Sequence, residues 1–227
     1  MEKLKTWSLI VTLFGDLDGE ELSGTQIREI LGHIGVKPEA IRVALHRLKA
    51  DGWITSSKQG RGAAYRMSKM ARAETEKVAP DVYHRMIEPA ESWHFLLFQD
   101  VVPRNDVIIL NKNLAIAHMT SEVLGGDALV LTPQAPVLPD WVAASLVSER
   151  VVQLAESLRK LVTCYPELSA DADKVAFRLL VLHHWRRIAL RQGSWAHASF
   201  VPDGPIACCH RQVSKFFERT GKALRDI

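Results

Sequence analysis

Cysteine is scarce in this sequence, and its arrangement excludes two kinds of structural support. Among 227 residues there are three cysteines, Cys164, Cys208 and Cys209. An odd number with two adjacent members is a poor disulfide framework and indicates a reducing compartment. The run Cys208-Cys209-His210 also lacks the C-x-x-C spacing that presents two thiolates to one zinc ion. The sequence therefore predicts neither disulfides nor a bound metal.

Long apolar runs and catalytic motifs are also missing. No apolar run approaches the roughly 18 residues that indicate a membrane span. The apolar stretch Trp7 to Phe14 has no small-residue cleavage site after it, which predicts a buried first helix and a cytoplasmic protein. The sequence shows no Ser/His/Asp arrangement, phosphate loop or nucleotide-binding glycine motif, so we expect no enzyme and no cofactor. A Cys-His hydrolase built on Cys164 or Cys208 is the enzymatic alternative.

The small net charge of +3 hides a strongly uneven charge distribution. Residues 1–35 have a net charge of −3, residues 36–70 of +6, residues 71–173 of −7 and residues 174–227 of +7. Clustered basic charge is the electrostatic pattern of a protein that binds a polyanion. A solvated surface is the simpler explanation for the C-terminal segment, whereas the segment 36–70 also carries a motif.

That motif begins with three short helices. A helix is predicted from Thr6 to Phe14, and the run Ser23-Gly24-Thr25-Gln26 is a capping box that starts the second helix. Pro38 suits the first position of a third helix, where its missing N–H costs nothing. The apolar residues of this third helix follow helical spacing, which predicts a buried stripe formed by Ile41, Ala44, Leu45 and Leu48.

A β-hairpin is predicted directly after the third helix. Asp51-Gly52 ends the helix, Trp53 to Ser57 is strand-like, and Ala63 to Met67 returns as a second strand. Lys58 and Arg61 flank Gly60 in the turn. Three helices followed by a hairpin with a basic tip indicate a winged helix-turn-helix, whose third helix enters the DNA major groove.

The predicted DNA contacts lie on the polar face of the third helix and on the hairpin. They are Lys37, Glu39, Arg42, Val43, His46, Arg47, Lys49, Lys58, Arg61 and Arg66. The predicted partner is double-stranded DNA. Winged helices also occur as protein-interaction modules, so a protein partner is the alternative.

Four stretches resemble the PaaX family, regulators named for repression of phenylacetate catabolism. Ser8 to Asp16 resembles the family's opening, and Ile41 to Ile54 resembles its "VR-A--RL---GW" stretch. Gly60 to Tyr65 resembles its "GR-S-Y" wing, and Leu182 to Arg191 resembles its "H-WRR--LR" stretch. The resemblance implies an α+β, mostly helical fold: a winged helix, a small ferredoxin-like αβ domain and a helical C-terminal domain. It also implies a homodimeric repressor of a catabolic operon that an aryl- or acyl-coenzyme A thioester releases from DNA.

The remaining chain divides at a proline-rich segment. We predict a winged helix-turn-helix over residues 1–70, a linker and small αβ domain over 71–140, and a helical domain over 141–227. Strands are expected at residues 93–98 and 128–132. The segment 106–119 is ambiguous by its pattern, and the resemblance to the PaaX family implies a helix there. Helices are expected at 141–165, 172–191 and 213–224.

The C-terminal basic segment supplies a candidate effector site. Its arginines suit the phosphates of a coenzyme A thioester, because guanidinium groups pair with phosphate oxygens in bidentate fashion. The candidate residues are Arg178, Arg186, Arg187 and Arg191. The structural alternative is that these arginines form salt bridges with the acidic middle segment.

Overall fold

The computed structural model describes residues 5–17, 20–60, 62–100, 107–118, 128–132, 138–165 and 171–220. It contains mostly helices together with two small antiparallel sheets, which confirms the predicted mixed α+β class. The backbone groups into two compact units. The first comprises residues 1–84, 161–186 and 213–227, and the second comprises residues 85–160 and 187–212.

The N-terminal part of the first unit contains the three predicted helices and the predicted hairpin, together with a short strand before the second helix and a helix after the hairpin that were not predicted. In chain order the elements are α1 (Thr6–Asp16), β1 (Leu22–Ser23), α2 (Gly24–His33), α3 (Pro38–Ala50), β2 (Ile54–Gln59), β3 (Gly62–Met67) and α4 (Lys69–Ala79). The first sheet has the order β1-β3-β2, and all of its pairs are antiparallel. The β2–β3 hairpin thus follows α3 directly, as the sequence predicts.

Local signals explain where these helices begin and end. The predicted capping box is confirmed, because the Ser23 hydroxyl accepts a hydrogen bond from the Gln26 N–H while the Gln26 side chain accepts one from the Ser23 N–H. Pro38 occupies the first turn of α3. Gly52 has φ +73°, a left-handed conformation that favours glycine and redirects the chain from α3 toward β2.

One hydrophobic core holds these helices together. Leu9, Leu13, Ile27 and Ile41 are fully or almost fully buried in it. Helix α7 (Asp171–Ala189) contributes Val175 and Leu179 to the same core, although it is more than a hundred residues away in sequence. The N-terminal helices and the hairpin therefore share their core with a C-terminal helix.

The second unit contains the second sheet, whose strand order is β5-β6-β4-β7. Its strands are β4 (Trp93–Leu97), β5 (Val107–Ile109), β6 (Leu114–His118) and β7 (Leu129–Leu131). The two predicted strands are confirmed as β4 and β7. The ferredoxin-like assignment remains a prediction, since residues 101–106 and 119–127 between the strands lie outside the described ones.

The helix expected over residues 106–119 is wrong, because the described part of this segment is a β-hairpin. Its β-branched residues Val107 and Ile108 favour a strand, and both side chains are buried although they point to opposite faces of the sheet. The side chain of Asn111 accepts hydrogen bonds from the N–H groups of Asn113 and Leu114, and so stabilises the turn.

The C-terminal half is helical, as predicted, but is divided more finely. Its helices are α5 (Asp140–Leu146), α6 (Glu149–Thr163), α7, α8 (Gln192–Phe200) and α9 (Pro205–Thr220). The first predicted helix is split because Val147 adopts an extended conformation, and α8 was not predicted. Residues 221–224 of the last predicted helix lie outside the described ones. The boundaries at residues 70 and 140 remain predictions.

No helix within the described ranges has the length and apolar character needed to cross a membrane.

Candidate nucleic-acid interface

Helix α3 has one buried face and one exposed face. Ile41, Ala44, Leu45 and Leu48 are buried, as their spacing predicts. All of the predicted DNA contacts that the structure describes are exposed, namely Lys37, Glu39, Arg42, Val43, His46, Arg47, Lys49, Lys58 and Arg66. The tenth, Arg61, lies outside the described residues. Folding therefore leaves the candidate side chains of α3 accessible to a partner.

A concave surface lies beside the exposed face of α3. It encloses about 520 Å³ between α3, the first turns of α2 and the β2–β3 hairpin. Its polar and charged lining comprises Arg28, Glu39, Arg42, His46, Lys49, Ser56 and Tyr65. Three of these side chains are cationic and one is anionic, so the surface favours a negatively charged partner.

Sequence reasoning missed the contribution of α2 and the hairpin to this surface. Arg28 lies on α2 and donates a hydrogen bond to Thr25 Oγ1 at 3.1 Å. Tyr65 lies on β3, and its partner in the sheet is Leu22 of β1, the strand that leads into α2. This pairing joins residues 43 positions apart in the numbering, and no local pattern in the sequence indicates it.

Two contacts at the surface of this region have different consequences. Ser57 Oγ donates to Glu21 Oε1 at 2.8 Å, which links β2 to the segment just before β1. Arg47 Nε lies 3.5 Å from Asp51 Oδ2, but the two side chains are 70% and 52% exposed. Exposed pairs of this kind hold their partners weakly, so Arg47 remains available to a ligand.

The arginines predicted to bind an effector have different environments. Arg178 is buried and pairs with Asp16, a residue of α1 rather than of the acidic middle segment. Arg186 Nη1 donates to Thr12 Oγ1 at 2.9 Å, and burial lowers the pKa of Arg186. Arg187 is half-buried and Arg191 is exposed. Arg178 therefore forms a salt bridge, as in the structural alternative to an effector site, but its partner is Asp16 and not a residue of the acidic segment 71–173.

The cysteines do not assemble a metal site within the described ranges, where no group of three or more His, Cys, Asp or Glu side chains could hold an ion. All three cysteines are free thiols. Burial raises the pKa of Cys209 to about 12, so this thiol is protonated at neutral pH and a poor nucleophile. Cys208 Sγ lies 3.1 Å from Arg211 Nη2 at the surface.

Comparisons with known proteins agree with the N-terminal resemblance. Residues 5–71 match the family model described as PaaX-like protein, which confirms the resemblance over α1 to the beginning of α4. No curated protein matches the chain.

One solved structure, that of the uncharacterised protein Rv0674 from Mycobacterium tuberculosis, is similar over almost the whole chain. The two share 15% sequence identity with a TM-score of 0.51, and the similarity covers 96% of this chain and 97% of that one. At this identity the similarity concerns the fold alone.

Proposed function

We propose that this protein is a transcriptional regulator whose N-terminal part is a winged helix-turn-helix that binds double-stranded DNA. In this proposal α3 is the recognition helix and the β2–β3 hairpin is the wing. The observation behind this proposal is the exposed face of α3, where Arg42 and Lys49 border the cationic concave surface. The match of residues 5–71 to the PaaX-like family supports a regulatory role.

The dimensions of α3 suit a major groove. Its 13 residues give a length of about 20 Å, and a helix of this kind fits a groove about 12 Å wide. With the buried stripe against the core, the opposite face would lie on the edges of the bases. Arg42 and Lys49 would then lie on the side of α3 nearest the wing, where a long cationic side chain reaches bases or phosphates.

The proposal includes a homodimer that represses a catabolic operon and an aryl- or acyl-coenzyme A ligand that releases it. A dimer would place two recognition helices on half-sites one DNA turn apart. A tenfold loss of operator affinity requires about 1.4 kcal/mol of coupling between ligand and DNA. Arg178 and Arg186 already contact Asp16 and Thr12, so Arg191, which is exposed, is the better candidate for a phosphate of the ligand.

DNA binding is tested by selection from a pool of random duplexes with the full-length protein, followed by mobility shifts over a range of salt concentrations. We expect a defined sequence to be enriched and its affinity to fall steeply with salt, because phosphate contacts release counterions. A protein-interaction module would enrich no sequence. Failure to bind any duplex at low salt would refute the proposal.

The effector is tested separately by calorimetry with a panel of coenzyme A thioesters. We expect Arg191→Ala to weaken binding and Arg150→Ala, at an exposed position of α6, to leave it unchanged. If no thioester binds, or if binding leaves operator affinity unchanged, the effector part of the proposal is wrong and the DNA-binding part is unaffected.

A further inference from the structure

An apolar side chain stands in the middle of the exposed face of α3. Val43 is 64% exposed, the highest value for a large apolar residue among the described residues of the first unit. Glu39, Val43 and His46 follow one another at spacings of four and three residues, so they form a row along the helix. This row lies opposite the buried stripe that includes Ile41 and Leu48.

The stability of the helix does not account for this valine. Branching at Cβ restricts χ1, so valine is a poorer helix former than the alanine, lysine or arginine found nearby on α3. With most of its side chain exposed, Val43 also contributes little to the core. Its polar neighbours on this face are Glu39, His46 and Arg47, all of them exposed.

The major groove presents one apolar group, the C5 methyl of thymine, among hydrogen-bond donors and acceptors. A central row opposite the core is the part of a recognition helix that lies closest to the floor of the groove. An apolar side chain in that row would leave base donors or acceptors unpaired at most positions, but it would pack against a thymine methyl. Glu39 in the same row and Arg42 at the edge of this face have the chemistry to pair with the cytosine amino group and with guanine.

We propose that Val43 is a specificity-determining residue that contacts the C5 methyl of a thymine in the bound DNA. The inference rests on the proposed function, and it adds the chemistry of one base position to it. The contact is apolar, so it discriminates thymine from uracil, which differ by that methyl alone.

The test begins with the duplex that the wild-type protein selects. Each thymine is replaced in turn by deoxyuridine, and affinities are measured for the wild type, Val43→Ser and Val43→Ile. Burial of one methyl group corresponds to about a fourfold change in affinity. We expect one position at which the replacement costs the wild type and Val43→Ile about fourfold but leaves Val43→Ser unchanged.

Two controls separate this contact from a general effect of the substitutions. Val43→Ser lies on an exposed helix face, so its circular dichroism and melting temperature should match those of the wild type. Met70→Ala removes an exposed apolar side chain from α4 and should keep the wild-type response to deoxyuridine.

If a sequence is selected but no deoxyuridine position responds to the residue at 43, the thymine contact is wrong and DNA binding stands. If the protein selects no sequence and binds no duplex, the proposed function is wrong, and the proposed contact of Val43 with thymine is wrong as well.

Discussion

Arg178 and Asp16 form a bidentate ion pair inside the first unit, with Arg178 Nε 2.7 Å from Oδ2 and Nη2 2.9 Å from Oδ1. Both side chains are 4% exposed. Tyr83 Oη donates to Asp16 Oδ1 at 3.0 Å, and Arg178 Nη1 donates to Thr220 Oγ1 at 2.9 Å. Burial and the neighbouring Asp16 carboxylate raise the pKa of Tyr83, so the phenol stays a neutral donor. The pair thus links α1 to α7, with partners on two further segments.

Removing one member of this pair should strongly destabilise the protein. Asp16→Ala leaves the Arg178 charge buried without its carboxylate, which costs about 3–5 kcal/mol of the free energy of unfolding. Urea denaturation at pH 7 measures the change. The double variant Asp16→Leu/Arg178→Met should recover part of the loss, because it removes both charges and keeps apolar volume.

The control is Glu74→Ala, which breaks the exposed ion pair with Lys77 on α4. Its cost should stay below about 1 kcal/mol, because exposed pairs are screened by water. Equal effects of Asp16→Ala and Glu74→Ala would contradict the role assigned to the buried pair.

Two glycines should respond in opposite ways to alanine. A Cβ at Gly193 on α8 would lie 1.7 Å from the backbone oxygen of Leu146, so Gly193→Ala must push α5 and α8 apart and should destabilise the protein by about 1–3 kcal/mol. A Cβ at Gly32 on α2 would meet nothing within 4 Å, so Gly32→Ala should stabilise by about 0.5–1 kcal/mol through helix propensity. Thermal melting checks this, because Gly193→Ala should lower the melting temperature and Gly32→Ala should raise it.

The sequence predicted those features that depend on neighbouring residues. The capping box at Ser23, the proline at the beginning of α3 and the buried stripe of α3 are local patterns, and the structure contains all three. The segment 106–119 was misjudged because a short contiguous apolar run fits a buried strand as well as a helix.

Features that depend on distant residues were not predictable in this way. Asp16 is the partner of Arg178 although 162 positions separate them, so charge composition alone directed attention to the wrong acidic segment. The contribution of Tyr65 to the concave surface likewise depends on sheet pairing, and that of Arg28 depends on where α2 lies in the fold, rather than on local spacing.

The stability of the protein should fall on mild acidification. Burial lowers the pKa of His197 below its ordinary value near 6.5. The unfolded chain then binds a proton that the native state does not, so the free energy of unfolding decreases as the pH falls through about 6.5. The decrease ends once the pH is below the native pKa. Urea denaturation at pH 7.5 and 5.5 should show a smaller decrease in the free energy of unfolding for His197→Gln than for the wild type. Identical decreases would contradict the assignment of this pH dependence to His197.

The wing should contribute to DNA affinity without contributing to specificity. Lys58 is exposed on β2 opposite Ala63, next to the hairpin turn. One phosphate contact releases about 0.9 of a counterion, so Lys58→Ala should flatten the log–log dependence of affinity on salt by about 0.9 for each bound wing. Selected and random duplexes should be weakened alike. Lys112→Ala, at an exposed position between β5 and β6, serves as the control. If the affinity of Lys58→Ala depended on salt as steeply as that of the wild type, the wing would not be part of the DNA interface.

Arg42 should behave differently from Lys58, because we expect it to contact a base. It is exposed on α3 and borders the concave surface together with Lys49. A bidentate contact from arginine to guanine contributes about 1–3 kcal/mol of discrimination, so Arg42→Ala should make the selected sequence less defined at one base pair. Arg42→Lys should be intermediate, since an ammonium group lacks the planar fork of the guanidinium. Repeating the selection with both variants measures this directly. If Arg42 instead bound a phosphate, Arg42→Ala would weaken all duplexes equally and leave the selected sequence as sharp as before.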